Sequence, residues 1–121
     1  MRNFVNYIVS HRGGALLVLS VAAFLEAYGD SSMQAALYRS SGTRRGLFFL
    51  VGAISLTAYG LVVNGPRWDF GKLLGVYVVL FFVLAQVIAW ARFGQRPGLP
   101  VLLGGSLIVA GGVIIAVSAN F

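Results

Sequence analysis

The sequence predicts an all-α integral membrane protein: four transmembrane helices with short loops, forming one domain. Three observations carry that expectation. Hydrophobic residues make up 59% of the 121-residue chain. Charged residues make up only 10%, where an ordinary soluble domain carries about 25%. The apolar residues also gather into four runs, at about 14–38, 46–64, 70–91 and 99–119. Each is close to the roughly 20 residues a helix needs to cross a bilayer. A single four-helix domain over residues 1–121 accounts for the whole chain. The formal charge of +6 would suggest nucleic acid in a soluble protein. Here the basic residues fall in the gaps between apolar runs, where they anchor helices at the headgroups and set topology. The lipid bilayer, and no nucleic acid, is the partner expected.

Residues Met1 to Arg12 form a short lead. Phe4, Tyr7, Ile8 and Val9 suit the interface or an extension of the first helix, and His11 beside Arg12 reads as an interfacial residue. The first apolar run is not read as a signal peptide, because it is too long, carries two carboxylates and leads into further spans. Those carboxylates are its main feature. Glu26 lies near the middle of the span and Asp30 one turn later. An ionisable group at the centre of a membrane helix costs about 2.5–3.5 kcal/mol on insertion scales, so both should face protein or water. A spacing of four puts them on one helix face, with Gly29 and Met33 nearby.

A basic turn, Arg39 to Arg45, leads into the second span, which is apolar except for Ser55 and Thr57. Both hydroxyls can bond to their own helix backbone. Asn64-Gly65-Pro66 punctuates the chain, and Arg67, Trp68, Asp69 and Lys72 mark the next interface. The third span holds Gly71 and Gly75, a spacing that permits close helix approach, then Tyr77, Gln86 and Trp90. Arg92 to Pro97 reads as a tight basic loop. The fourth span has no charge, and Gly104 and Gly105 recur seven residues later as Gly111 and Gly112. That stripe is a helix-contact surface, within a monomer or between monomers.

With four spans and short connections the helices alternate direction. The N-terminus and second loop then share Arg2, Arg12, Arg67 and Lys72 on one side, against Arg39, Arg44, Arg45, Arg92 and Arg96 on the other. Four against five gives no firm orientation by the positive-inside rule. The balance fits insertion both ways and an antiparallel, dual-topology homodimer; it equally fits a weak bias in a small count.

The sequence offers little chemistry beyond its acids. There is no cysteine and a single histidine, and neither a cofactor-binding glycine loop nor a nucleophilic triad is present. No enzyme activity, cofactor or metal is therefore expected. A carboxylate within the membrane can hold either a proton or a cation, and that competition is enough to couple two fluxes. Two copies would provide eight helices and bring two Glu26 groups to one shared site. Tyr28, Tyr59 and Tyr77 can offer ring faces to an organic cation or hydroxyls to the acids; ordinary packing is the other reading. Gln86 can hydrogen-bond across helices.

Two stretches resemble the small multidrug resistance (SMR) transporter superfamily. The first is Leu25-Glu26-Ala27-Tyr28-Gly29-Asp30-Ser31-Ser32-Met33. The second is Phe93-Gly94-Gln95-Arg96-Pro97-Gly98-Leu99-Pro100, followed by the glycine-rich last helix through Ala110-Gly111-Gly112-Val113-Ile114-Ile115. With the four-span layout, the resemblance covers about Gly14 to Val117. It implies four-helix subunits that form antiparallel homodimers in the bacterial inner membrane. It also implies a first-helix glutamate, matched by Glu26, that binds protons and cationic substrates alternately. Asp30 departs from the pattern, adding an acid where the family usually has a small neutral or hydroxyl residue. The function expected is proton-coupled efflux antiport of small organic cations, with a second copy, protons and the cation as partners. A dual-topology ion channel and an accessory subunit of a membrane complex are the alternatives.

Overall fold

The computed structural model describes residues 12–66 and 69–118, with no side chain described for Arg12, Gly13 or Ser118. The lead residues 1–11, Arg67, Trp68 and residue 119, for which the sequence gives expectations, lie outside that set. Four helices follow one another: α1 (Arg12–Tyr38), α2 (Gly42–Asn64), α3 (Phe70–Phe93) and α4 (Leu99–Ser118). All four are long and apolar enough to cross a bilayer, so the chain is a multi-pass, all-α integral membrane protein.

Three helix ends lie beyond the sequence expectation, each lengthening its helix. α1 begins at Arg12, not 14. α2 begins at Gly42, not near 46, and α3 runs on to Phe93, past 91. Arg44, Arg45 and Arg92 are therefore helical, not loop residues. Arginine is a good helix former, and its long stem lets the charge reach the interface from inside a helix end. Hydropathy marks where the charge begins, while the helix continues beyond it. Glycines in the left-handed region then bound the loops, Gly42 at φ +60° and Gly94 at φ +65°. At the latter, the Gly94 N–H donates to the Trp90 carbonyl at 3.0 Å and the Gln95 N–H to that of Ala89 at 3.1 Å.

α1 is the centre of the bundle. Its inner positions are mostly small, with Ala15, Ala22, Ala23, Ala27, Ala35 and Ala36 all buried. Small side chains let neighbouring backbones approach, which in lipid replaces the hydrophobic drive that packs soluble helices. α2 packs on one side of α1, and the closest approach is at Gly29 and Gly52. A Cβ added to Gly52 would stand 3.1 Å from the Gly29 carbonyl oxygen and 3.0 Å from Met33 Cγ. α3 also packs on α1, where Leu19, Ala22 and Ala23 meet Leu73, Val76 and Tyr77, with Val63 of α2, in one buried cluster.

Among the described residues, α4 packs against α3 alone. The glycine stripe of α4 divides accordingly. Gly105 sits against the Phe82 ring, and Gly112 against the Val79 side chain and the Gly75 carbonyl. Gly75 of α3 in turn receives Ile115. This pair is taken up inside the protomer, the within-monomer side of the two readings that the sequence leaves open. Gly104 and Gly111 face open space, on an α4 surface where Leu107 is 76% exposed.

Candidate functional site

Glu26 occupies the middle of α1, in line with the small-residue face that meets α3. Its carboxylate accepts a hydrogen bond from the Tyr77 hydroxyl of α3, contacting it through Oε2. Tyr77 is only 4% exposed, and its ring is fixed by neighbours on both sides. Tyr59 of α2 lies with its centroid 5.9 Å away and tilted by 37°; Phe81 lies 6.2 Å away and nearly parallel. Three helices thus deliver one group each to the same place: α1 the acid, α3 the hydroxyl that holds it, and α2 a second tyrosine. A buried tyrosine ring needs a partner for its hydroxyl, and here the carboxylate is that partner.

Among the described residues, no basic side chain lies within ion-pair distance of Glu26. Among the described residues, the ion pair within 4.0 Å is Lys72 with Asp69, an exposed contact at the start of α3 that contributes little. A carboxylate at this depth without a counter-ion is costly unless it is protonated or bound to something positive. Its chemistry is therefore open to a proton or to a cation from outside the chain.

The other predicted residues are brought only partly together. Asp30 is exposed and lines a separate cavity of about 220 Å³ between α1 and α3, with Gln34, Phe81, Phe93 and Gln95. It lies one turn from Glu26 but addresses different space. Tyr28 points elsewhere again. Its ring stacks on Phe24 at 5.7 Å and carries the Arg92 guanidinium 4.9 Å from its centroid, so the chain's own cation already covers it. Gln86 lines the groove between α3 and α4. Gly105 and Gly112 serve the α3–α4 contact, while a Cβ at Gly104 or Gly111 would meet nothing within 4 Å among the described residues.

Arg92 is the residue sequence reading placed least well. It was expected in a loop, yet it folds back over the bundle end. Its Nη1 donates to Ser31 Oγ at 2.7 Å and to Ser32 Oγ at 3.0 Å. Both serine hydroxyls in turn donate to the Tyr28 carbonyl, at 2.9 and 2.8 Å. The signal was present in outline: a Ser-Ser pair three and four residues beyond Tyr28 puts two hydroxyls on the tyrosine's side of α1. What it lacked was any indication of which arginine would reach them. Among the described residues, no three of His, Cys, Asp or Glu come together as metal ligands do.

Fold and site together define a small four-span membrane protein with one intramembrane acid held between three helices. In sequence the chain is similar to a UPF0060 membrane protein of Herpetosiphon aurantiacus, 33% identical over 70 residues. That match covers 56% of this chain and 64% of the relative, so the chain spans less than two thirds of its length. No protein-family model matches the chain. No solved structure matches it either.

Proposed function

We propose that the protein is a proton-coupled antiporter of small organic cations, working as an antiparallel homodimer, with Glu26 as the group that protons and cations share. The observation that carries this reading is the mid-membrane carboxylate of Glu26, bonded by the Tyr77 hydroxyl and unpaired with any basic side chain among the described residues. Intramembrane acids of this kind mark ion and proton pathways. The resemblance of Leu25 to Met33 and of the third loop and last helix to the SMR superfamily supports the same reading. So do the near-equal loop charges and the α4 face that no other helix covers. In this scheme a cation entering the site displaces the proton from Glu26, and a proton arriving from the other side displaces the cation. Two copies are needed because one protomer has three helices around Glu26 and a fourth standing outside them. The second copy closes the open side and supplies the opposing acid.

Proteoliposomes containing only this protein test the proposal. With an imposed pH gradient, they should accumulate a quaternary ammonium, aromatic or guanidinium cation from a panel, and accumulation should collapse with the gradient. A fast current without coupling would indicate a channel, and silence towards the whole panel an accessory subunit.

Two substitutions refine the roles. Tyr77→Phe keeps the ring that packs between Tyr59 and Phe81 and removes only the hydroxyl. Relative affinities among cations should shift by about tenfold, the worth of one hydrogen bond to a charged group, while the melting temperature moves by only a few degrees. Equal losses for every cation, matched by a lower melting temperature, would assign Tyr77 to packing alone. Asp30→Asn should slow transport several-fold without ending it, since Asp30 faces a different cavity. Flux assays at saturating cation distinguish these outcomes.

A further inference from the structure

At the end of the bundle formed by the first and third loops, two arginines share one cavity with no acid to pair them. Arg44 stands in the first turn of α2 and Arg92 is the penultimate residue of α3, which places both at headgroup depth. Their guanidinium carbons lie 5.8 and 5.3 Å from the centroid of the same Phe48 ring. Both line a cavity of about 240 Å³ whose other walls are Tyr28, Leu47, Phe48 and Val51. Among the described residues no carboxylate lies within ion-pair distance of either. Two like charges sharing a partly apolar cavity repel unless an anion sits with them. The cavity is too small for a drug-sized molecule but large enough for a headgroup.

The walls also say where the rest of the ligand goes. Leu47 and Val51 are exposed on the outer face of α2, and Ile54 and Leu61 continue the same exposed stripe along the helix, at spacings that keep them on one face. An apolar stripe descending through the membrane from a pair of arginines matches one chemistry: a phosphate with a hydrocarbon chain attached. Guanidinium groups bind phosphate oxygens in paired, charge-assisted hydrogen bonds, and basic pockets between transmembrane helices take lipid headgroups in this way.

We propose that the Arg44–Arg92 cavity binds the headgroup phosphate of an anionic phospholipid, whose chain lies along Leu47, Val51, Ile54 and Leu61. Arg92 is already held by Ser31 and Ser32, so the lipid finds one guanidinium fixed in place and draws in the more exposed Arg44. The site is separate from Glu26 and stands whether or not the chain transports cations.

Native mass spectrometry of the full chain released from detergent tests this, using phosphatidylglycerol, phosphatidylcholine and inorganic phosphate as probes. Phosphatidylglycerol should be retained, phosphatidylcholine should bind more weakly, and inorganic phosphate should compete poorly because it lacks the chain. Arg44→Gln should weaken phosphatidylglycerol about tenfold, as loss of one charge-assisted contact does. Arg44 is exposed, and the contact it gives up is the one with the Phe48 ring, 5.8 Å from its guanidinium carbon. Arg45→Gln is the control, because Arg45 turns the other way and donates to the Ser40 carbonyl at 3.2 Å; it should bind as the wild type does. Equal retention of both lipids, equal binding by inorganic phosphate, no retention at all, or the same loss in both variants would each overturn the proposal.

Discussion

Glu26→Gln is expected to reduce pH-driven cation accumulation to the level of empty liposomes while leaving a folded, membrane-inserted protein. Glutamine is nearly the same shape and still accepts a hydrogen bond from the Tyr77 hydroxyl, so the contact joining α1 to α3 survives. What disappears is the exchangeable charge. No other acid reaches that position: Asp30 opens on its own cavity and Asp69 lies at the start of α3 beside Lys72. Glutamine is neutral and cannot carry the charge that is costly at mid-membrane depth, so the variant should be about as stable as the wild type. Glu26→Asp keeps the charge but shortens its reach, and should retain slow turnover with weakened contact to Tyr77. Transport surviving in Glu26→Gln would move the coupling site away from this residue.

The second large effect separates the two glycine pairs of α4. Gly112→Ala should strip α4 from α3, because the new methyl meets the Val79 side chain and, at 3.4 Å, the Gly75 carbonyl. Valine has little freedom to turn aside, and overpacking of this kind costs about 1–3 kcal/mol. Among the described residues of one protomer α4 packs on no other helix, so the loss falls on the whole helix. A Cβ at Gly111 meets nothing within 4 Å among the described residues, and Gly111→Leu should leave the protomer's melting temperature unchanged. If Gly104 and Gly111 pack on a second copy, the same change should weaken dimerisation about tenfold or more, equivalent to about 1.4 kcal/mol. Thermal melts and cross-linking in detergent read the two effects separately. An unchanged oligomer in Gly111→Leu, or a purely parallel one, would remove α4 from the proposed interface.

Much of this architecture is legible in the sequence because the bilayer imposes strong rules. Every backbone group must be bonded internally, so a long apolar run in this chain becomes a helix. The four spans are therefore plain, and so is the anomaly of Glu26. Details that depend on which helix touches which are not. The period of seven between Gly104 and Gly111, and between Gly105 and Gly112, specifies a smooth face, but only the α3–α4 contact decides that one pair is used internally. The same holds for the tyrosines. Tyr28, Tyr59 and Tyr77 look equivalent in an apolar run, yet Tyr28 lies two residues from Glu26 and so on a nearly opposite helix face. Arg92 falls outside the apolar window because a charge ends that window, while the helix itself continues to Phe93.

Proton release on cation binding is the most direct test of Glu26 as the shared site. Adding a transported cation to purified protein in weak buffer, with a pH indicator present, should liberate protons. Binding should weaken as pH falls, because the proton then occupies the carboxylate the cation needs. Glu26→Gln should release none. Tight cation binding without proton release in the wild type, or undiminished release from Glu26→Gln, would contradict the account.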